Sequence, residues 1–344
     1  MDQFNVYKDM KARTNGEIYI GVVGPVRTGK STFIKRFMNL MVLPNIEDEN
    51  DRNRANDELP QSSSGKTIMT TEPKFVPNEA VSIKTEEGIE LNVRLIDCVG
   101  YMVEGATGHM EGEEERLVKT PWFDYEIPFT KAAAIGTKKV ITEHSTIGVV
   151  VTCDGSFGEI AAKQYEPAEE ETIKQLKALK KPFVVLLNTI HPYSESTKQL
   201  AAEKEEKYQT KVLPMNLEQM KKEDIYEIIK SVLMEFPISS IGFYVPRWTE
   251  MLKKDHPLKM ELLQMARDVI TEKTTMRDIY EEQEKEYEYI TGQKLESVAM
   301  DSGEVVITVK VGDVYYYEFL SETTGMEIRN EYEFIKIMGE LAKK

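Results

Sequence analysis

Gly24-Pro25-Val26-Arg27-Thr28-Gly29-Lys30-Ser31 is the stretch whose reading decides the fold. It follows the apolar run Ile18-Tyr19-Ile20-Gly21-Val22-Val23 and leads into Thr32-Phe33-Ile34-Lys35-Arg36-Phe37-Met38, where apolar residues recur at helical spacing. Strand, loop and helix in that order are the context in which G-x-x-x-x-G-K-[ST] means a phosphate-binding loop. Gly24 and Gly29 let the backbone turn so that successive N–H groups, from Arg27 and Thr28 to Ser31 and Thr32, face a phosphate at the positive end of the following helix. Lys30 is expected to reach the outer phosphates and the Ser31 hydroxyl to ligate Mg²⁺. The bland alternative is a tight strand-to-helix turn with an exposed lysine. It would need both glycines, the Lys-Ser pair and the flanking elements to coincide without purpose.

Working outward, the chain has 344 residues, more than one core of about 250–300 residues usually covers, so two domains are expected. Its 44 basic and 59 acidic side chains leave a net charge of −15, which argues against a general nucleic-acid binder and against coating anionic membranes by charge alone. Cys98 and Cys153 each sit beside an apolar run and suggest no disulfide framework, so a reducing compartment is expected. The first residues mix charge with apolar side chains and lack a signal-peptide core. No later stretch reaches the roughly 20 apolar residues of a spanning helix. A soluble, cytoplasmic protein is the resulting expectation.

Between the loop and the next motif lies Gln61-Ser62-Ser63-Ser64-Gly65-Lys66-Thr67-Ile68-Met69-Thr70-Thr71. In phosphate-loop switch proteins a hydroxyl from such a segment folds over the γ-phosphate and completes the Mg²⁺ shell. Thr70 and Thr71 are the candidates, against the alternative of two ordinary strand threonines. Leu91-Asn92-Val93-Arg94-Leu95-Ile96 then leads to Asp97-Cys98-Val99-Gly100. A carboxylate at the carboxyl end of a buried strand is where a Walker B aspartate holds the metal, and the Gly100 N–H can meet the γ-phosphate. Tyr101 stands where many GTPases place a water-orienting glutamine. Arg27 offers positive charge in cis, against the commoner outcome of a solvated arginine.

Residues 102–142 resemble an insertion, either a capping loop or a moving switch. Ala132 to His144 has helical composition, the run 146–152 reads as a central parallel strand, and Pro167 reads as the start of the next helix. The strand Pro182 to Leu187 ends in Asn188-Thr189-Ile190-His191, where a guanine-specific site would carry Asn-Lys-x-Asp. Thr189 and His191 cannot supply the acceptor pair that reads guanine, so ATP is the expected nucleotide, with Asn188 and Asn216 near the base. The four histidines show no metal-ligand spacing.

Strands alternating with helices to Phe236 describe an α/β fold with a mostly parallel sheet and flanking helices, assigned to residues 1–236. Residues 237–344 read as a smaller α+β domain. It has a short strand at Ile241 to Val245, a long charged helix from Leu258 to Glu286, and a final helix carrying Phe334, Met338 and Leu341. Val305 to Val311 and Val314 to Leu320 flank Gly312-Asp313, a Gly-first hairpin signal.

GPVRTGKSTFIKRFM, DELPQSSSGKTIMTTEPKFVP, LIDCVGY, TPWFDYEIPF and EHSTIGVVVTCDG together resemble the stage IV sporulation protein A family of spore-forming Firmicutes. The resemblance spans nearly the whole chain, and the second and fourth stretches are far more specific than any phosphate loop. It implies an ATPase derived from the translation-factor class of P-loop GTPases, whose hydrolysis of ATP drives self-assembly into the basement layer of the spore coat. It further implies Lys30 as the nucleotide-binding lysine, Thr70 and Thr71 as sensor threonines and Asp97 as the Walker B carboxylate. It implies a place in the mother cell at the forespore outer membrane, reached through a small amphipathic peptide, and contact with other coat proteins. The family continues beyond the point matching Lys344 into a further carboxyl-terminal domain, so polymerisation and peptide binding are expected to be impaired in this chain. A slow GTPase, and a nucleotide-stabilised scaffold without turnover, remain the alternatives.

Overall fold

The computed structural model describes residues 6–60, 72–84, 90–111, 114–157, 160–280 and 285–343. Thr70 and Thr71 lie outside them. The chain divides into two compact units, Met1–Phe236 and Pro237–Lys344.

The first unit opens with α1 (Val6–Arg13), whose Val6 and Met10 are buried, and continues with β1 (Glu17–Val23), α2 (Lys30–Phe37) and α3 (Glu49–Asp57). β2 (Lys74–Lys84) and β3 (Glu90–Asp97) pair antiparallel. Two small ribbons follow, β4 (Met110–Glu111) with β5 (Glu114–Glu115) and β6 (Leu117–Thr120) with β7 (Phe123–Pro128). Next come α4 (Phe129–Lys139), β8 (Ile147–Cys153), α5 (Ala162–Ala178), β9 (Phe183–Asn188), α6 (Glu195–Tyr208), β10 (Val212–Met215) and α7 (Lys222–Met234). The sheet order is β10-β9-β8-β1-β3-β2, parallel except for β2. Every residue of β8 and β9 is buried, because helices cover both faces of a parallel sheet and leave no solvent side for alternation. β1 lies between β3 and β8, so the chain leaves it in opposite directions. The loop after β1 therefore sits where crossovers diverge, the usual place for a ligand crevice.

The mostly parallel α/β sheet expected from the sequence is present, with three local differences. α5 begins at Ala162, so Pro167 is inside the helix rather than at its start. Pro167 interrupts one intrahelical hydrogen bond without ending the helix, whose buried Tyr165, Ala168, Thr172, Ile173 and Leu176 hold it to the sheet. Within 102–142 the extended ribbons take up most of the segment before α4. The helical reading of Ala132 to His144 holds, with α4 starting earlier, at Phe129, and giving way to a wider turn over Val140–His144.

The second unit contains β11 (Ser240–Tyr244), α8 (Pro257–Glu272), β12 (Ile290–Ala299), β13 (Glu304–Val311), α9 (Asp313–Thr324) and α10 (Glu331–Leu341). Its sheet order is β11-β13-β12. The hairpin expected around Gly312-Asp313 does not form. β13 already has β11 parallel on one edge and β12 antiparallel on the other, so no edge is left for Val314 to Leu320. That run is helical instead, starting after an extended Gly312, and it places Tyr316 and Phe319 against Trp248 at ring separations of 5.7 and 5.6 Å. The long helix expected to Glu286 ends at Glu272. Beyond it Asp278 accepts hydrogen bonds from the Thr274 and Thr275 amides and the Thr274 hydroxyl, closing a tight loop.

Candidate functional site

Gly24, Arg27 and Gly29 all have positive φ, at 127°, 62° and 100°, so the loop between β1 and α2 turns its backbone inward. A side chain on Gly24 would collide with the Val151 carbonyl oxygen, which is why the loop tolerates no Cβ where it leaves the sheet. Thr28 is buried and its hydroxyl donates to the Pro25 carbonyl at 3.0 Å, bracing the turn from within. Ser31 and Thr32, half-buried, occupy the first turn of α2.

Lys30 is only 5% exposed. Its Nζ donates to the Pro25 carbonyl at 2.5 Å and the Gly24 carbonyl at 3.4 Å, so the ammonium is folded over the loop it belongs to. Burial lowers its pKa, with the nearby Asp97 charge acting the other way. The register of β1 with β3 places Val22 beside Asp97, and the carboxylate accepts the Ser31 hydroxyl on Oδ2 at 2.9 Å. Asp97 Oδ1 is buried without a hydrogen-bond partner. Burial raises the Asp97 pKa, opposed by Lys30 and the Ser31 hydroxyl.

An orphaned carboxylate oxygen beside a serine hydroxyl and a buried lysine fits a hard divalent cation. No group of three or more His, Cys, Asp or Glu suited to a metal occurs among the described residues. One serine hydroxyl and one carboxylate suit a divalent cation that takes one or two protein oxygens and completes its shell with phosphate and water.

Gly100, at φ 92°, presses on the loop from the β3 side. A Cβ there would collide with the Gly24 carbonyl oxygen and stand 2.6 Å from Lys30 Nζ. Tyr101 bridges Pro25 through its backbone, and its carbonyl accepts from Val26 N at 3.0 Å. Its ring packs with Met102 and Val99 against Val26, Val103, Ala106, Cys153, Ile160 and Tyr165, and burial pushes the phenol up to about 12. Tyr101 is thus a neutral packing group at the position where a glutamine would face water. From the loop, the Arg27 guanidinium donates to the Thr107 carbonyl at 3.4 Å and hydroxyl at 3.2 Å.

On the opposite side, Asn188 at the end of β9 is buried, and both ends of its amide are committed. Nδ2 donates to the Thr28 carbonyl at 3.0 Å and Oδ1 accepts from Leu217 N at 3.3 Å. It ties the phosphate loop to the turn after β10. Asn216 caps that turn, accepting from Glu218 N at 3.1 Å. Thr189 is fully buried and its hydroxyl accepts from His191 N at 3.1 Å, while Ser156 accepts from Ile190 N. The structure thus brings Gly24, Arg27, Thr28, Gly29, Lys30, Ser31, Asp97, Gly100 and Asn188 together. Thr107 and Ser156 escape a sequence reading because they lie in loops without motif or periodicity, and their contacts span 80 and 34 residues.

Comparison with known proteins follows the same division. Residues 1–237 match the family model described as stage IV sporulation protein A, ATPase domain, and residues 238–344 match that family's middle domain. Stage IV sporulation protein A of Bacillus anthracis is 45% identical over 344 residues, covering 99% of this chain and 70% of that protein. The Clostridioides difficile protein of that name is 47% identical over 341 residues, 98% of this chain and 70% of its own length. The Bacillus subtilis protein is 44% identical over 344 residues, with 99% and 70% covered. With a phosphate loop, an aspartate-bearing strand and two domain matches spanning its length, the chain belongs to the stage IV sporulation protein A family and carries that family's ATPase domain.

Proposed function

We propose that the first unit hydrolyses ATP to ADP and phosphate with Mg²⁺, and that turnover changes its conformation to drive self-assembly. The observation carrying this reading is the trio of buried Lys30, Ser31 hydroxyl and Asp97 with its unpartnered Oδ1, gathered at the amino end of α2. Ser31 and Asp97 would hold the cation, which when bound polarises the phosphates. Lys30 and the amides from Arg27 to Thr32 would hold the β- and γ-phosphate oxygens and offset charge as it develops there. The Gly100 amide would meet the γ-phosphate from the other side. Thr70 or Thr71 would sense it, a role that rests on their sequence position alone. The buried Thr189 and the His191 position offer no carboxylate for a guanine edge, which supports adenine.

The family name supports a role in sporulation. We assign the assembled form to the basement layer of the spore coat, in the mother cell at the forespore outer membrane, with a small amphipathic peptide as membrane tether and other coat proteins as partners. Among the described residues no helix is long and apolar enough to cross a membrane, so a tether of that kind is compatible with the fold.

Phosphate release from this chain, from Lys30→Ala and from Asp97→Asn tests the chemistry. Both variants should fall at least about a hundredfold, while Lys30→Ala also weakens ATP binding. The second reading, a scaffold that binds nucleotide without turnover, is favoured by the packed Tyr101 ring. Equal background release from all three proteins would establish it.

A further inference from the structure

Lys30 supplies one positive charge to the site, its ammonium beside Gly100 and folded onto the Pro25 carbonyl. Tyr101, at the water-orienting position, is turned into an apolar cluster, and Lys30 is drawn over the loop carbonyls. Phosphoryl transfer spreads negative charge over the γ-oxygens and the leaving bridge oxygen. A second cation close to those oxygens stabilises the developing charge further. A second cationic side chain of the loop reaches the segment after Asp97 further along, at Thr107. Arg27 lies between the two glycines and holds a left-handed backbone, φ 62°, that a non-glycine residue adopts only when its surroundings demand it. Its guanidinium hydrogen-bonds the carbonyl and hydroxyl of Thr107, seven residues beyond Gly100. That segment is itself anchored to the loop by the Tyr101 bridge and by Val103 and Ala106 packing on Val26. The guanidinium is exposed to solvent yet held by a partner 80 residues away in sequence.

We infer that Arg27 is a catalytic residue, an arginine supplied in cis to the transferring phosphoryl group, and that Thr107 is its positioning residue. In the step it serves, a water oxygen bonds to the γ-phosphorus as the bond to the β,γ-bridging oxygen breaks. That oxygen leaves on ADP with the electron pair. One water proton stays on the hydrogen phosphate formed and the other passes to solvent. The planar, permanently charged guanidinium donates to the bridging and γ-oxygens together, a geometry a lysine cannot reproduce. The inference rests on the hydrolytic reading above and adds the source of the compensating charge.

The test uses the full chain with Arg27→Gly, Arg27→Lys, Thr107→Val and Thr107→Ser. Glycine accepts positive φ, so Arg27→Gly removes the guanidinium and the strain together and should fold at least as well as the parent, read by its melting temperature. Its kcat should fall about a thousandfold or more, the range of arginine fingers, with ATP affinity changed only a few-fold. Guanidinium ion at low millimolar concentration should restore part of its rate and leave the parent rate unchanged. Arg27→Lys should stay low. Thr107→Val should lose several-fold in kcat, and Thr107→Ser, which keeps the hydroxyl, should not. Parental kcat in Arg27→Gly, or a loss confined to ATP affinity, would overturn the inference. Lys30→Ala measured alongside separates the failures: if it too keeps its turnover, the hydrolytic reading itself is lost.

Discussion

Gly29 carries two constraints at one atom. Its φ is 100°, and a Cβ would stand 2.6 Å from the Asn188 amide nitrogen, the group that ties the loop to the end of β9. Gly29→Ala should therefore lose that tie as well as incur backbone strain. We expect destabilisation of about 1–3 kcal/mol and at least tenfold weaker ATP binding, checked by chemical denaturation and titration calorimetry. In the second unit, Asp278 is a residue of another kind. Burial would raise its pKa, but the Thr275 and Thr274 amides and the Thr274 hydroxyl more than offset this, so its pKa is lowered. A carboxylate with a depressed folded pKa contributes stability above its unfolded pKa and loses it as pH falls through the folded value. Asp278→Asn should accordingly flatten the acid side of the second unit's stability profile, measured by unfolding from about pH 5 down to pH 2.5 with Trp248 as the probe. Residues such as Lys30, Ser31 and Asp97 were legible because a motif fixes their spacing. Thr107 and Asp278 were not, since what each one touches is decided by folding.

At the level of elements, α5 and α6 are joined by a buried pair. Glu169, fully buried, accepts from the Thr152 hydroxyl at 2.5 Å and from Lys204 at 2.7 Å, linking β8 to both helices. Removing one partner leaves the other charge buried and unpaired. Glu169→Ala should cost about 3–5 kcal/mol, whereas Glu169→Leu with Lys204→Met should cost far less, as a double-mutant comparison of denaturation midpoints would show. The wholly apolar runs of β8 and β9 were readable because burial on both faces writes itself into every residue. The α9 segment departs from its strand-like sequence for an equally physical reason. Its tyrosines favour strands on their own, but a strand needs an edge, and β13 has none to offer.

On the scale of the molecule, each unit has its own core and one of the two tryptophans. Trp122 stands near Lys139 in the first, and Trp248 stacks on Phe319 in the second. ATP at 100 times its dissociation constant should stabilise the binding unit by about 2.7 kcal/mol. In Trp248→Phe the remaining Trp122 signal should shift to a higher unfolding temperature with ATP, while in Trp122→Phe the Trp248 transition should keep its midpoint. The parallel sheet and its loop could be read from sequence because they obey local grammar. The partner strands of the second unit depend on which distant edge each one finds.

The two walls of the phosphate loop are fastened differently. On the Asn188 side, one amide is bonded at both ends to backbone. On the Gly100 side, the hold is a close backbone approach, one hydrogen bond from Val26 and an arginine side chain. The Gly100 side, which leads through residues 100–107 to the ribbons of β4 to β7, is therefore the side expected to yield first when nucleotide turns over, with the base end as the fixed point.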